Sequence, residues 1–186
     1  MAEWVAQWHA EHVRISQLLD LLDARVAEFH EGDDPDLGAM CDIVSWLRDF
    51  GDRFHHPRED IAFARMVMRD PAQRLPINRL LQEHRTIAFA GEQLVTLLKE
   101  AMAGGVVLRS SIEAAAALYL NCYRHHLATE ERQIVPIAAR LLTPQDWDAV
   151  AGSNASGRGP LSARAQREAY QALRGRMTPR ACTTPG

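Results

Sequence analysis

The chain has 186 residues, enough for one domain with an extension, and nearly half are apolar, so a sizeable core can form. Its 21 Lys and Arg against 24 Asp and Glu leave a net charge of −3, which gives no reason to expect nucleic acid or an anionic membrane as a partner. Three cysteines, Cys41, Cys122 and Cys182, form no Cys-x-x-Cys pair, and no apolar run approaches the roughly 18 residues of a membrane helix. Glu3, Trp4 and His9 stand where an export signal needs an apolar stretch, so a soluble, cytoplasmic protein with reduced thiols is expected.

Helical periodicity dominates the chain. In the first segment Trp4, Trp8, His12, Ile15, Leu19, Leu22, Val26 and Phe29 recur at steps of three and four, on one face. An acidic turn around Gly32–Asp36 ends it, and Asp36 can cap the next helix. That helix is expected over about 37–69, with the stripe Met40, Val44, Leu47, Gly51, His55, Glu59, Ala62 and Met66 and a kink at Pro57. Asp70-Pro71 reads as a cap followed by a first-turn proline. A third helix then runs to about Met102, with Ile77, Leu80, His84, Ile87, Gly91, Leu94 and Leu98 inward, and stops at Gly104-Gly105. Ser110 with Glu113 gives a capping-box signal for a fourth helix reaching Leu142. Its stripe holds Ile112, Tyr119, Cys122, His126, Glu130, Gln133, Ile137 and Leu141. Thr143-Pro144 starts a short extra turn.

Nothing reads as a strand. The expected fold is all-α: an antiparallel up-down four-helix bundle over 1–150 with a C-terminal extension, 151–186. The extension carries six arginines against one glutamate. A helix over about 162–174 is possible within it, and the remainder reads as mobile.

Histidines interrupt all four stripes where apolar residues belong. Two of them start His-x-x-x-Glu pairs, His55 with Glu59 and His126 with Glu130. Residues four apart on a helix share a face, so each pair presents an imidazole and a carboxylate to one interior point. The other two lie in a repeated pattern, Glu11-His12-x-x-Ile15 and Glu83-His84-x-x-Ile87. His12 and His84 are 72 positions apart, and the paired histidines and glutamates are each 71 apart. Two helix pairs related by an approximate two-fold axis would bring four imidazoles and two carboxylates together. Buried alone, such groups are costly, whereas two metal ions would use all of them. Mixed imidazole and carboxylate ligation favours iron or manganese.

Phe54-His55-His56-Pro57-Arg58-Glu59-Asp60 and His126-Leu127-Ala128-Thr129-Glu130-Glu131, followed by Ile134-Val135-Pro136, resemble the second- and fourth-helix motifs of the hemerythrin-like, His-His-Glu cation-binding family. The resemblance covers about residues 3–150. It implies His12, His55, Glu59, His84, His126 and Glu130 as ligands of two iron ions joined by an oxo or hydroxo bridge. The oxygen-carrying members have a further histidine one turn after the third-helix histidine, where this chain has Ala88. A four-histidine set is closer to di-iron proteins of nitrosative stress and iron–sulfur repair, although this chain shows none of the cysteine-bearing N-terminal domain of the repair proteins.

Two neighbours compete with the chosen histidines. His125 would give a five-residue spacing to Glu130, but the repeat and the apolar stripe favour His126. His56 is expected outside the ligand set or exposed, and His9 on the outer face. Tyr119 and Tyr123 read as core that can also line the pocket. The expected partner is a small ligand, dioxygen, nitric oxide or peroxide. A protein that binds, senses or scavenges it ranks ahead of a peroxide-consuming or iron-donating enzyme, because no organic-substrate pocket or electron-transfer domain is recognisable.

Overall fold

The computed structural model describes residues 2–31, 36–152 and 163–177, and is helical throughout, with no strand among the described residues. Helix α1 spans Ala2–Glu31, α2 Leu37–Phe50, α3 His56–Arg69, α4 Arg74–Met102, α5 Arg109–Thr129, α6 Val135–Leu141, α7 Pro144–Gly152 and α8 Ala163–Met177. Asp36 caps α2 by accepting from Ala39 N at 2.8 Å. Asp70 accepts from Ala72 N at 3.1 Å and caps a 3₁₀ turn, Pro71–Gln73, that leads into α4. Past Met102, Gly104 takes φ = +82° and Gly105 N returns to Glu100 O at 2.9 Å, so the glycine ends α4 where a side chain would strain the turn.

Three local expectations are corrected. The capping box at Ser110 does not form. α5 begins two residues earlier, at Arg109 behind Leu108, which gives no side-chain cap, and Glu113 pairs instead with His30 at 3.1 Å. The kink expected at Pro57 lies just before it, as a π-helical turn over Gly51–His55 that joins α2 to α3. The helix expected unbroken to Leu142 is divided in the same way, by a π-helical turn over Glu130–Ile134. Pro57 and Pro136 then sit in the first turns of α3 and α6, where a missing N–H costs least.

α1 packs against α2 and α5, and α4 packs against the same two helices. Two apolar clusters fill the interior. One gathers Ile15, Leu19, Leu47, Leu94 and Tyr119 with their neighbours. The other gathers Trp8, Phe63, Met66, Leu80, Ile134 and Trp147. The histidines and glutamates of the stripes lie between the two sets along each helix, so a polar layer is held between two dry ones.

The extension is partly built into the first cluster. Tyr170 and Leu173 of α8 are buried there, and the Tyr170 hydroxyl donates to Gln17. Of the stretches read as mobile, 151–161 and 175–186, residues 151–152 end α7 and 175–177 end α8, while 153–161 and 178–186 lie outside the described residues, as does Cys182. Cys41 and Cys122 are free thiols. No described helix is long and apolar enough to cross a membrane.

Candidate metal centre

Each of the six residues singled out from the sequence is buried, and their donor atoms meet between the helices. His12 comes from α1, His84 from α4 and His126 from α5. His55 ends one π-helical turn, Glu130 begins the other, and Glu59 lies in α3. His12 Nε2 is 3.3 Å from Glu59 Oε1 and 3.2 Å from Glu130 Oε2. His55 Nε2 is 2.9 Å from Glu59 Oε1. On the other side, His84 Nε2 is 3.4 Å from Glu59 Oε2, and His126 Nε2 is 3.4 Å from Glu130 Oε1. Each carboxylate thus turns one oxygen toward His12 and the other toward the His84 and His126 side.

Two groups of donors emerge, each with one ligand atom per residue inside a 4.8 Å span: His12, His55, Glu59 and Glu130, and His56, Glu59, His84 and His126. His56 is buried at 4 % exposure, which overturns the exposed alternative, and one of its ring nitrogens falls in the second group. Adjacent residues of a regular α-helix point about 100° apart, so a helix without irregularity would turn only one of His55 and His56 inward. The π-helical turn immediately before His56 resets that register. Gly51 and Pro57, flanking the pair, were its trace in the sequence. His125 is exposed and His126 fully buried; His9 is on the outer face.

An outer ring of carboxylates holds the imidazoles. Nδ1 of His12 donates to Glu131 at 2.6 Å, and that of His84 to Asp60 at 2.9 Å. Nδ1 of His55 donates to Glu11 at 2.8 Å, and that of His126 to Glu83 at 3.0 Å. An ionised carboxylate only accepts, so Nδ1 carries a proton in each, and Nε2 is the nitrogen turned inward. The repeat now has a physical meaning. Glu11, beside His12, holds His55, and Glu83, beside His84, holds His126; Asp60 and Glu131, each following a central glutamate, hold His84 and His12.

The inner atoms are unmatched. Nε2 of His55, His84 and His126, Oε2 of Glu59 and both carboxylate oxygens of Glu130 are buried without a hydrogen-bond partner among the described residues. So many convergent, unsatisfied donor atoms are what a cation would satisfy, and their nitrogen and oxygen chemistry fits one. Without a cation the acids and imidazoles compensate each other. Burial disfavours charged His12, but Glu130, Glu131 and Glu59 outweigh it and hold its pKa well above the ordinary value. His84 is pushed up to about 10 against burial by Asp60 and Glu59. Burial would raise Glu59, yet His55, His12 and His84 hold it well below the usual range. Glu11 falls to about 2, burial being overcome by His55 and Arg58.

A family model, the hemerythrin HHE cation-binding domain, matches residues 5–138. The chain belongs to the hemerythrin HHE family. A search of curated proteins returned no match. Helices α7 and α8 lie beyond the matched part of the HHE domain.

α7 nevertheless closes the centre on one side. Asp146 accepts from Arg69 and, at 2.9 Å, from Thr143 N, pinning α7 to the end of α3. Trp147 is thereby buried edge-on against Trp8, ring centroids 6.1 Å apart. Between α1 and α7 remains a cavity of about 30 Å³, lined by Trp4, Trp8, Trp147 and Val150 and reaching His55 and Glu59. Trp8 Nε1 donates to Glu59 and fixes the direction of its carboxylate.

Proposed function

We propose that the HHE domain, its helical arms packed as an antiparallel four-helix bundle, holds two iron ions and uses them to bind, sense or scavenge dioxygen, nitric oxide or peroxide. The carrying observation is that Glu59 and Glu130 each offer one oxygen to either side of the centre. A carboxylate so placed can bridge two cations, while a single cation would leave one side unmatched. His12 and His55 would hold one ion, His84 and His126 the other. Such an iron pair, when bound, supplies redox chemistry and open positions for a small ligand.

The protein's own groups set the conditions. The outer carboxylates keep each Nε2 aimed inward, and Trp8 keeps Glu59 from turning away. A cavity of about 30 Å³ has room for a molecule the size of water or a diatomic.

The deciding experiment is anaerobic iron loading followed by exposure to dioxygen, peroxide and nitric oxide, read by optical and Mössbauer spectra. Two irons per chain and a stable small-molecule complex are expected. One iron per chain would end the two-iron reading. Repeated peroxide turnover would move the protein to the oxidoreductases, and iron inert to all three ligands would make the centre structural.

A further inference from the structure

The repeat that relates the two halves of the centre fails at one position. We propose that His56 is a seventh protein ligand, a fifth imidazole on the side of His84 and His126, and that it makes the two metal positions unequal. The inference rests on the two-iron reading above.

His56 shares the burial and the inward placement of the other histidines, although its Nδ1 stands farther from its carboxylate than theirs do. It is 4 % exposed, and one of its ring nitrogens lies within 4.8 Å of donor atoms from Glu59, His84 and His126. Its Nε2 is buried without a hydrogen-bond partner among the described residues, as are those of His55, His84 and His126. Its Nδ1 faces a carboxylate, Asp52 Oδ1, at 3.6 Å. The ring stacks on His84 with centroids 4.2 Å apart and meets His126 edge-on at 5.6 Å. An imidazole with a structural role would turn its second nitrogen to a protein acceptor. Here that nitrogen joins the set of unmatched donors.

The register supports the assignment. A shift of 71 positions carries His55 onto His126, Glu59 onto Glu130 and Asp60 onto Glu131, but it carries His56 onto Leu127. Leu127 is buried in the first apolar cluster. One half of the repeat therefore provides an imidazole where the other provides hydrocarbon. The outcome is three imidazoles on one side and two, His12 and His55, on the other. Ala88, one turn after His84, offers no donor; the fifth imidazole comes instead from α3, through the π-helical turn that ends at His55.

The full-length protein, freed of metal, would be titrated anaerobically with ferrous iron and, separately, with Co(II). The unmodified protein should take up two ions with different affinities and show two distinct Mössbauer sites. In the Co(II) form, hyperfine-shifted, solvent-exchangeable N–H resonances of ligating imidazoles should number five. His56→Leu, which copies Leu127, should merge the two Mössbauer sites toward one. It should also weaken one ion by more than the about 10–100-fold that losing an outer carboxylate costs. In His56→Ala, free imidazole should restore the weakened site, which a packing role would not predict. Four N–H resonances in the unmodified protein would overturn the assignment whether or not a variant folds. So would unchanged affinities and spectra in His56→Leu, or an unrestored site in His56→Ala. Failure of the two-iron reading looks different: the unmodified protein would take up one ion or none, and both proposals would fall together.

Discussion

Glu131 Oε1 lies 2.6 Å from Nδ1 of His12, although its side chain is 31 % exposed and it sits 119 positions away. The same relation, 71 positions earlier, joins Asp60 to His84 at 2.9 Å. Both acids touch solvent, so simple patterning treats them as surface charge. Their work is to fix which imidazole nitrogen is protonated and where the other points. Glu131→Ala and Asp60→Ala should each lower metal affinity by about 10–100-fold without removing a ligand. Competition with a chelator would measure it. His9, on the other oxygen of Glu131 at 3.1 Å, serves as control, and His9→Ala should leave affinity unchanged. Equal affinities in all three variants would show that the outer ring is incidental.

The neighbouring histidines of α5 give a sharper contrast. His126 has no exposed side-chain surface, while His125 is 72 % exposed and 3.8 Å from Glu83. His126→Ala should remove or disorder one metal. It should also cost about 1–3 kcal/mol, because Glu83 and Glu130 lose their buried partner. His125→Ala should change neither. Metal analysis and thermal melting decide between them, and metal loss in the His125 variant alone would reinstate the five-residue spacing.

How far the sequence could be read depends on the kind of feature. The stripes placed His12, His55, Glu59, His84, His126 and Glu130 inside because 3.6-residue periodicity survives any detail of packing. The all-helical class followed from the same periodicity. His56 was lost because a π-helical turn changes local register, and neither Gly51 nor Pro57 alone announces one. The cap at Ser110 failed because Glu113 has a competing partner in His30, brought near only by the folded chain. α8 was legible as a helix, but its docking was not. Tyr170 and Leu173 look like scattered apolar residues until Trp46 and Gln17 are placed beside them.

Metal uptake should release protons. In the metal-free protein His84 titrates at about 10, above the ordinary 6.5, and His12 is also raised. Near pH 7 both rings carry a proton on the nitrogen a metal needs, so apparent affinity should rise as pH rises from about 7 toward 10. Titration calorimetry in buffers of different ionisation enthalpy would count the protons. Stability of the metal-free form follows the opposite course. A raised histidine pKa contributes stability that is complete below 6.5 and is lost as pH rises through about 10. At the acid end, Glu11, lowered from 4.5 to about 2, contributes stability above its unfolded value that disappears as pH falls through about 2. Metal binding without proton release would contradict this account of the charge balance.

The last test concerns the close fit of Tyr123 against Gly51. A Cβ at position 51 would stand 2.5 Å from the Tyr123 hydroxyl, too near for any real contact. That hydroxyl is buried without a hydrogen-bond partner among the described residues, and its ring is 5.8 Å from that of His56. Gly51→Ala should therefore cost about 1–3 kcal/mol through overpacking. Tyr123→Phe removes an unmatched hydroxyl and should be close to neutral. Adding Tyr123→Phe to Gly51→Ala should recover most of the loss, since it removes the oxygen the new methyl strikes. Thermal melts of the two single variants and the double variant form the cycle. Additive losses would mean that Gly51 is required by the π-helical turn itself and not by Tyr123. The same Tyr123→Phe protein, loaded with iron, reports on function. If the phenol donates to a small molecule bound at the centre, that molecule should dissociate faster from the variant while metal content stays the same. Equal dissociation rates would leave Tyr123 a packing residue.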